Sequence, residues 1–175
     1  MAIMRRAQDA YLVLLRDHVA PKLRALGFRG SRGAYTLPHP EYWVRIGIQS
    51  SAWNTGDHVD FTLNVTAIPK AGGRGSVELS QGISEVQPQA NAIHTAPALG
   101  DNPDFWQSRI GPLLPAKTDR WWTLRHDSDV DAVAAQVMNA VREGALPAIT
   151  RHTGFAIASE DAAVETDPRP AQGET

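Results

Sequence analysis

Apolar residues recur at helical spacing from the start of the chain. Ala7, Tyr11, Leu14, Leu15, Val19, Leu23 and Leu26 fall on one stripe, with Arg and Asp residues between them, which predicts an amphipathic helix. Pro21 lies inside that stripe and predicts a kink or break near Val19–Ala20, because it lacks a backbone N–H and its ring crowds the preceding turn. Gly27 suits the left-handed residue that closes a helix, with Phe28 packing back on Leu23. Arg29–Gly33 reads as a turn, and Ala34–Leu37 as a short strand stopped by Pro38 and Pro40. The period then changes to two. In Tyr42–Ser50, Val44, Ile46 and Ile48 alternate with Trp43, Arg45, Gly47 and Gln49. In His58–Ala67, Val59, Phe61, Leu63 and Val65 alternate with Asp60, Thr62, Asn64 and Thr66. Asn54-Thr55-Gly56-Asp57 between them is turn chemistry, so the two strands are expected to pair as an antiparallel hairpin.

The pattern fades over residues 69–118. Lys70–Ser76 is a Gly-rich loop, Val77–Ala98 is of mixed polarity, and Asn102–Trp106 reads as a turn with an aromatic anchor. A short strand is expected within Trp106–Leu114 and a last one over Arg120–Leu124. A closing helix then carries Val130, Val133, Ala134, Val137, Met138, Val141 and Ala145 on one stripe. Ser128 with Asp131 resembles a capping box, Gly144 is placed to end the helix, and Pro147 to start a further turn. The order predicts an α+β fold: a mostly antiparallel sheet of about four to six strands, with an N-terminal and a C-terminal helix packed on one face. Residues 1–157 are expected to form one domain, and residues 158–175 a disordered acidic, Pro-rich tail.

Composition narrows the function classes. The 175 residues hold 17 Lys plus Arg against 19 Asp plus Glu, a formal charge of -2, which argues against a dedicated nucleic-acid partner. There is no cysteine, so disulfides, thiolate metal sites and cysteine nucleophiles are excluded. Gln8, Asp9, Arg16 and Asp17 interrupt the apolar stretch after Arg5-Arg6. Neither a signal peptide nor a membrane span is therefore expected, and the chain reads as soluble and cytoplasmic.

Familiar motifs fail on inspection. Asp127-Ser128-Asp129-Val130-Asp131 opens like a calcium loop, but Ala132 stands where Gly is needed and Met138 where Glu is needed. Gly72-Gly73-Arg74-Gly75-Ser76 lacks the Lys-Ser/Thr ending of a phosphate loop. The six histidines show no metal-ligand spacing, and His18 reads as partly buried and hydrogen-bonded. No metal site and no cofactor are expected, and no serine stands in a nucleophile elbow. The candidate chemistry is the sheet's second face. If the hairpin pairs its apolar sides, Trp43, Arg45 and Gln49 join Asp60, Thr62 and Asn64 opposite. Arg45 offers a planar fork of donors, Gln49 and Asn64 both donors and acceptors, and Trp43 a flat apolar surface. Trp121 and Trp122 must point to opposite faces, one toward the helices and one toward this polar side.

A helix ending in Leu26-Gly27-Phe28, a strand ending in Gln49-Ser50-Ser51, Phe61-x-x-Asn64, the Trp121-Trp122 pair and a closing helix running to Ala145-Leu146-Pro147 follow in an order that resembles the DUF4304 family, over roughly residues 5–150. The resemblance implies no reaction and no catalytic residues; Gln49, Phe61 and Asn64 match positions of its pattern. The expectation is a non-catalytic module that binds a small polar ligand or a protein through Trp43, Arg45, Gln49, Asp60 and Asn64. One alternative is a small hydrolase or transferase assembled around Arg45, Gln49, Asp60 and Asn64. Another is an immunity-type or regulatory protein-neutralising partner.

Overall fold

The computed structural model describes residues 6–70 and 106–157. The expectations for the Gly-rich loop from Ala71 onward, for Val77–Ala98, for the turn before Trp106 and for the tail lie outside the described residues.

The first helix, α1, runs through Ala7–Val13, Leu14–Val19 and Ala20–Ala25 without interruption. It does not break at Pro21. Leu14–Val19 is wound as a π-helix, and the Ala20 N–H donates to the Leu15 carbonyl, five residues back. The wider turn immediately before the proline accommodates the ring that would crowd a regular α-turn. Gly27 then ends the helix at φ +89. The Phe28 N–H donates to Leu23 at 3.0 Å and the Gly27 N–H to Arg24 at 2.9 Å, the paired bonds of the expected ending.

The closing helix, α2, repeats the device. Val130–Ala140 continues through a π-wound Val141–Ala145 into Leu146–Thr153, and the Leu146 N–H reaches back to Val141, one residue before Pro147. Gly144 therefore does not end the helix. A Cβ there would stand 3.1–3.3 Å from the side chains of Leu114, Ile110 and Leu113, so glycine lets the helix approach the 3₁₀ turn Gly111–Leu113. The helix ends at Gly154, φ +68. Its cap is Asp129, whose carboxylate accepts from the Ala132 N–H at 3.0 Å. Ser128 instead accepts from the Arg125 N–H, which replaces the expected Ser128–Asp131 box.

Among the described residues the sheet has six strands: β1 (Arg29–Ser31), β2 (Ala34–Leu37), β3 (Tyr42–Ser50), β4 (His58–Pro69), β5 (Trp106–Arg109) and β6 (Trp122–Arg125). Arg29–Ser31 is thus a strand rather than part of a turn. It pairs with β2 around Arg32 and Gly33, both at positive φ, as a two-residue hairpin turn requires. The last strand begins at Trp122 rather than Arg120. All pairings are antiparallel. The 12-residue β4 pairs with β3 along one edge. Its other edge is shared: β6 takes His58–Phe61 and β5 takes Asn64–Ala67.

The β3–β4 register sets Ile46 against Val65 and Ile48 against Leu63, so the apolar sides coincide. Leu37, Tyr35, Phe61, Trp122 and Leu124 join that inner face, and both helices close over it with Leu14, Leu23, Ala134, Val137 and Ile149. The fold is α+β, an antiparallel sheet backed by an N-terminal and a C-terminal helix. His18 ties the helices together through Asp131 at 2.9 Å.

Candidate functional site

Strand alternation puts the remaining side chains on the outer face in cross-strand rows. One row is Arg29, Thr36, Arg45, Thr66 and Gln107; the next is Ser31, Ala34, Gly47, Asn64 and Arg109; a third pairs Gln49 with Thr62. Asn64 is the hub. The residue opposite it on β3 is Gly47, which has no side chain to meet it. Asn64 therefore turns diagonally, and its Nδ2 donates to Gln49 Oε1 at 3.0 Å. Its other diagonal neighbour on β3 is Arg45, and directly opposite on β5 is Arg109.

The centre of this face is not washed by solvent, although Arg29 and Ser31 at its edge are exposed. Asn64 is 1% exposed, Thr62 0% and Arg45 9%. Thr62 is satisfied, since its hydroxyl donates to the Arg120 carbonyl at 2.7 Å. The hub is not. Asn64 Oδ1, Arg45 Nε and Arg109 Nε are buried, and no hydrogen-bond partner stands against any of them among the described residues. The two arginines also differ in charge balance. Arg109 meets the Asp119 carboxylate at 2.9 Å and lies over the Trp121 ring at 5.5 Å, and the Trp121 indole N–H donates to the same carboxylate. Arg45 has no carboxylate partner among the described residues, and burial pulls its pKa below the usual arginine range.

The other candidates stand apart. Trp43 is half-buried two positions before Arg45, with the Lys70 ammonium 4.6 Å from its ring centroid. Asp60 shares the face, but it lies toward the other end of β4, about 20 Å along the strand from Thr66 at ordinary strand rise. Its carboxylate accepts from the Thr123 hydroxyl at 2.6 Å and has His58 at 3.8 Å. Asn54 brackets its backbone, accepting from its N–H and donating to its carbonyl. The structure thus joins Gln49 to Asn64 and sets Arg45 on Asn64's other diagonal, with Trp43 at the margin and Asp60 near the hairpin turn. Sequence reasoning missed Arg109, because nothing in the chain before β5 says which strand edge Trp106–Arg109 will join.

The arrangement can present fixed donors and one fixed acceptor to a polar group. No cluster of three His, Asp or Glu that could hold a metal ion occurs among the described residues. No helix there is long and apolar enough to cross a membrane. A family model described as a domain of unknown function, DUF4304, matches residues 19–151. No curated protein and no solved structure matches the chain.

Proposed function

Because the chain belongs to the DUF4304 family, a domain of unknown function, we propose from its own residues that it is a non-catalytic binding module. It takes a small polar ligand on the outer face of its sheet, at Arg45, Gln49 and Asn64. The observation that carries this reading is the pair of buried side chains, Arg45 and Asn64, that each keep a polar atom without a partner among the described residues. Leaving such groups unpaired is costly, and a bound ligand would remove the cost. Binding is favoured over hydrolysis or group transfer because Asp60, the carboxylate such a reaction would draw on, is engaged by Thr123 and distant from Arg45. The near-neutral charge argues against a nucleic-acid ligand.

A thermal-shift screen of small polar compounds tests the proposal. Compounds that raise the melting temperature of the wild-type chain should lose that effect in Arg45→Met. Hits that stabilise both proteins equally would place binding elsewhere. A second reading, a protein-neutralising partner, draws on Trp53, which is 85% exposed in the loop between β3 and β4 and is the residue type most enriched in interface hot spots. Trp53→Ala should leave small-ligand shifts intact, and would abolish binding to a protein partner if that reading holds.

A further inference from the structure

The unpartnered atoms on the outer face are of both kinds, and that narrows the ligand. Resting on the binding reading above, we infer that the site takes an oxyanion carrying its own hydrogen-bond donor, such as an α-hydroxy carboxylate or a hydrogen phosphate group.

Arginine Nε can only donate and an amide oxygen can only accept. In the Asn64–Gln49 bond Nδ2 is the atom that faces Gln49 Oε1, which leaves Oδ1 as the unpartnered end. Asn64 Oδ1 therefore stays an acceptor, while Arg45 and Arg109 each keep an Nε donor free of partners among the described residues. Register sets Arg45 and Arg109 on either side of the Asn64 position, and a group reaching all three atoms would accept twice and donate once. Water meets that count but leaves a charge unanswered. Arg109 is neutralised by Asp119 at 2.9 Å; Arg45, 9% exposed, is not neutralised by any described carboxylate. An ion pair to a buried cation needs one negative charge and good hydrogen-bond geometry together. A plain carboxylate supplies the charge and the two acceptors but turns lone pairs toward Asn64 Oδ1. A neutral hydroxy amide supplies a donor without the charge. A hydroxyl beside the carboxylate, or a protonated phosphate oxygen, supplies all of them. Arg29, in the same cross-strand row as Arg45, adds positive potential at the sheet edge and favours the approach of an anion.

The test is melting of the full chain in chloride buffer at constant ionic strength, with glycolate, inorganic phosphate, acetate or glycolamide added. Titration calorimetry follows for each probe that shifts the curve. Glycolate or phosphate should raise the melting temperature by several degrees, and glycolate should bind about tenfold tighter than acetate. The glycolate and phosphate arms separate a carboxylate ligand from a phosphorylated one. Arg45→Met should abolish the response to every anion without lowering the melting temperature in chloride alone, since it removes an uncompensated buried charge. Asn64→Asp, which sets a carboxylate diagonal to Arg45, should raise that basal temperature and also abolish the response. Equal binding of acetate and glycolate overturns the inference. So does stabilisation by glycolamide that depends on Asn64, although the broader reading of a polar ligand would survive it. No response to any probe overturns the inference, and a destabilised Arg45→Met beside it removes the broader reading as well.

Discussion

Gln49 is more exposed than Asn64, yet removing it should cost more. Gln49→Ala strips the only side-chain hydrogen bond made among the described residues by an amide that is 1% exposed and already has an unpartnered oxygen. The cost of leaving such a group unpaired is about 1–3 kcal/mol. Asn64→Ala removes the donor and the unpartnered acceptor together, so its penalty should be smaller, about 1 kcal/mol or less. Urea titrations of the two variants check the order, and a larger loss for Asn64→Ala would mean that its oxygen is satisfied in the folded protein. Much of this site is legible in the sequence. Period-two alternation in two strands joined by turn chemistry puts Arg45, Gln49 and Asn64 on one face. Alternation says nothing about distance along a strand, however, and that is why Asp60 reads as a neighbour of Arg45 when it sits near the hairpin turn with Thr123. It also says nothing about burial. Thr62 and Asn64 look like residues of a solvated face, and only the tertiary structure encloses them.

At the scale of elements, the β1–β2 hairpin depends on one backbone position. Gly30 sits at φ +138, and a Cβ built there would stand 2.1 Å from the Ala34 carbonyl oxygen. The obstacle is backbone in the partner strand, so no side-chain rotation relieves it. Gly30→Ala should detach β1 and cost about 1–3 kcal/mol of strain or lost pairing. Hydrogen exchange would show it as faster exchange at the β1–β2 pairing with β3 and β4 unchanged; unchanged protection of β1 would refute the argument. This strand could not be read from the chain. Arg29-Gly30-Ser31 has no alternation, and positive φ at Arg32 is uncommon for a residue with a side chain. The strands β3 and β4 and the helix ending at Gly27 were legible because each has a local cause: alternation in the strands, and a left-handed glycine followed by an apolar residue at the helix end. The π-wound turns had half a signal. Pro21 and Pro147 mark where a regular helix must yield, but whether it breaks or widens is decided by packing. The stripe on each side of the proline faces the same core, so widening keeps both halves buried.

Across the whole molecule, the end of α2 is held to the sheet at two separated places, and both contacts use a histidine. His152 stacks on Trp106 of β5 at 4.3 Å, and Phe155, just past the helix, meets the edge of His39 at 5.2 Å. His39 lies in the β2–β3 connection, where its Nδ1 accepts from the Glu41 and Tyr42 N–H groups, both at 3.1 Å. That geometry requires the lone pair, so protonation breaks both bonds. Burial pushes the His39 pKa below the ordinary 6.5; Lys70, whose ammonium donates to the His39 carbonyl, pushes the same way and Glu41 opposes. Burial and Arg151 lower His152 likewise. With both pKa values depressed on folding, the unfolded chain binds more protons between those values and 6.5, so stability rises with pH through that window. The contribution is complete above about 6.5 and fades as pH falls through the depressed values. The urea midpoint should therefore be lower at pH 5 than at pH 7.5. His39→Asn keeps an acceptor near the Nδ1 position without a titrating ring, and should flatten part of that dependence. A pH slope identical to that of the wild type would show that the proton binds elsewhere and that the His39 bonds to Glu41 and Tyr42 do not set the pH dependence.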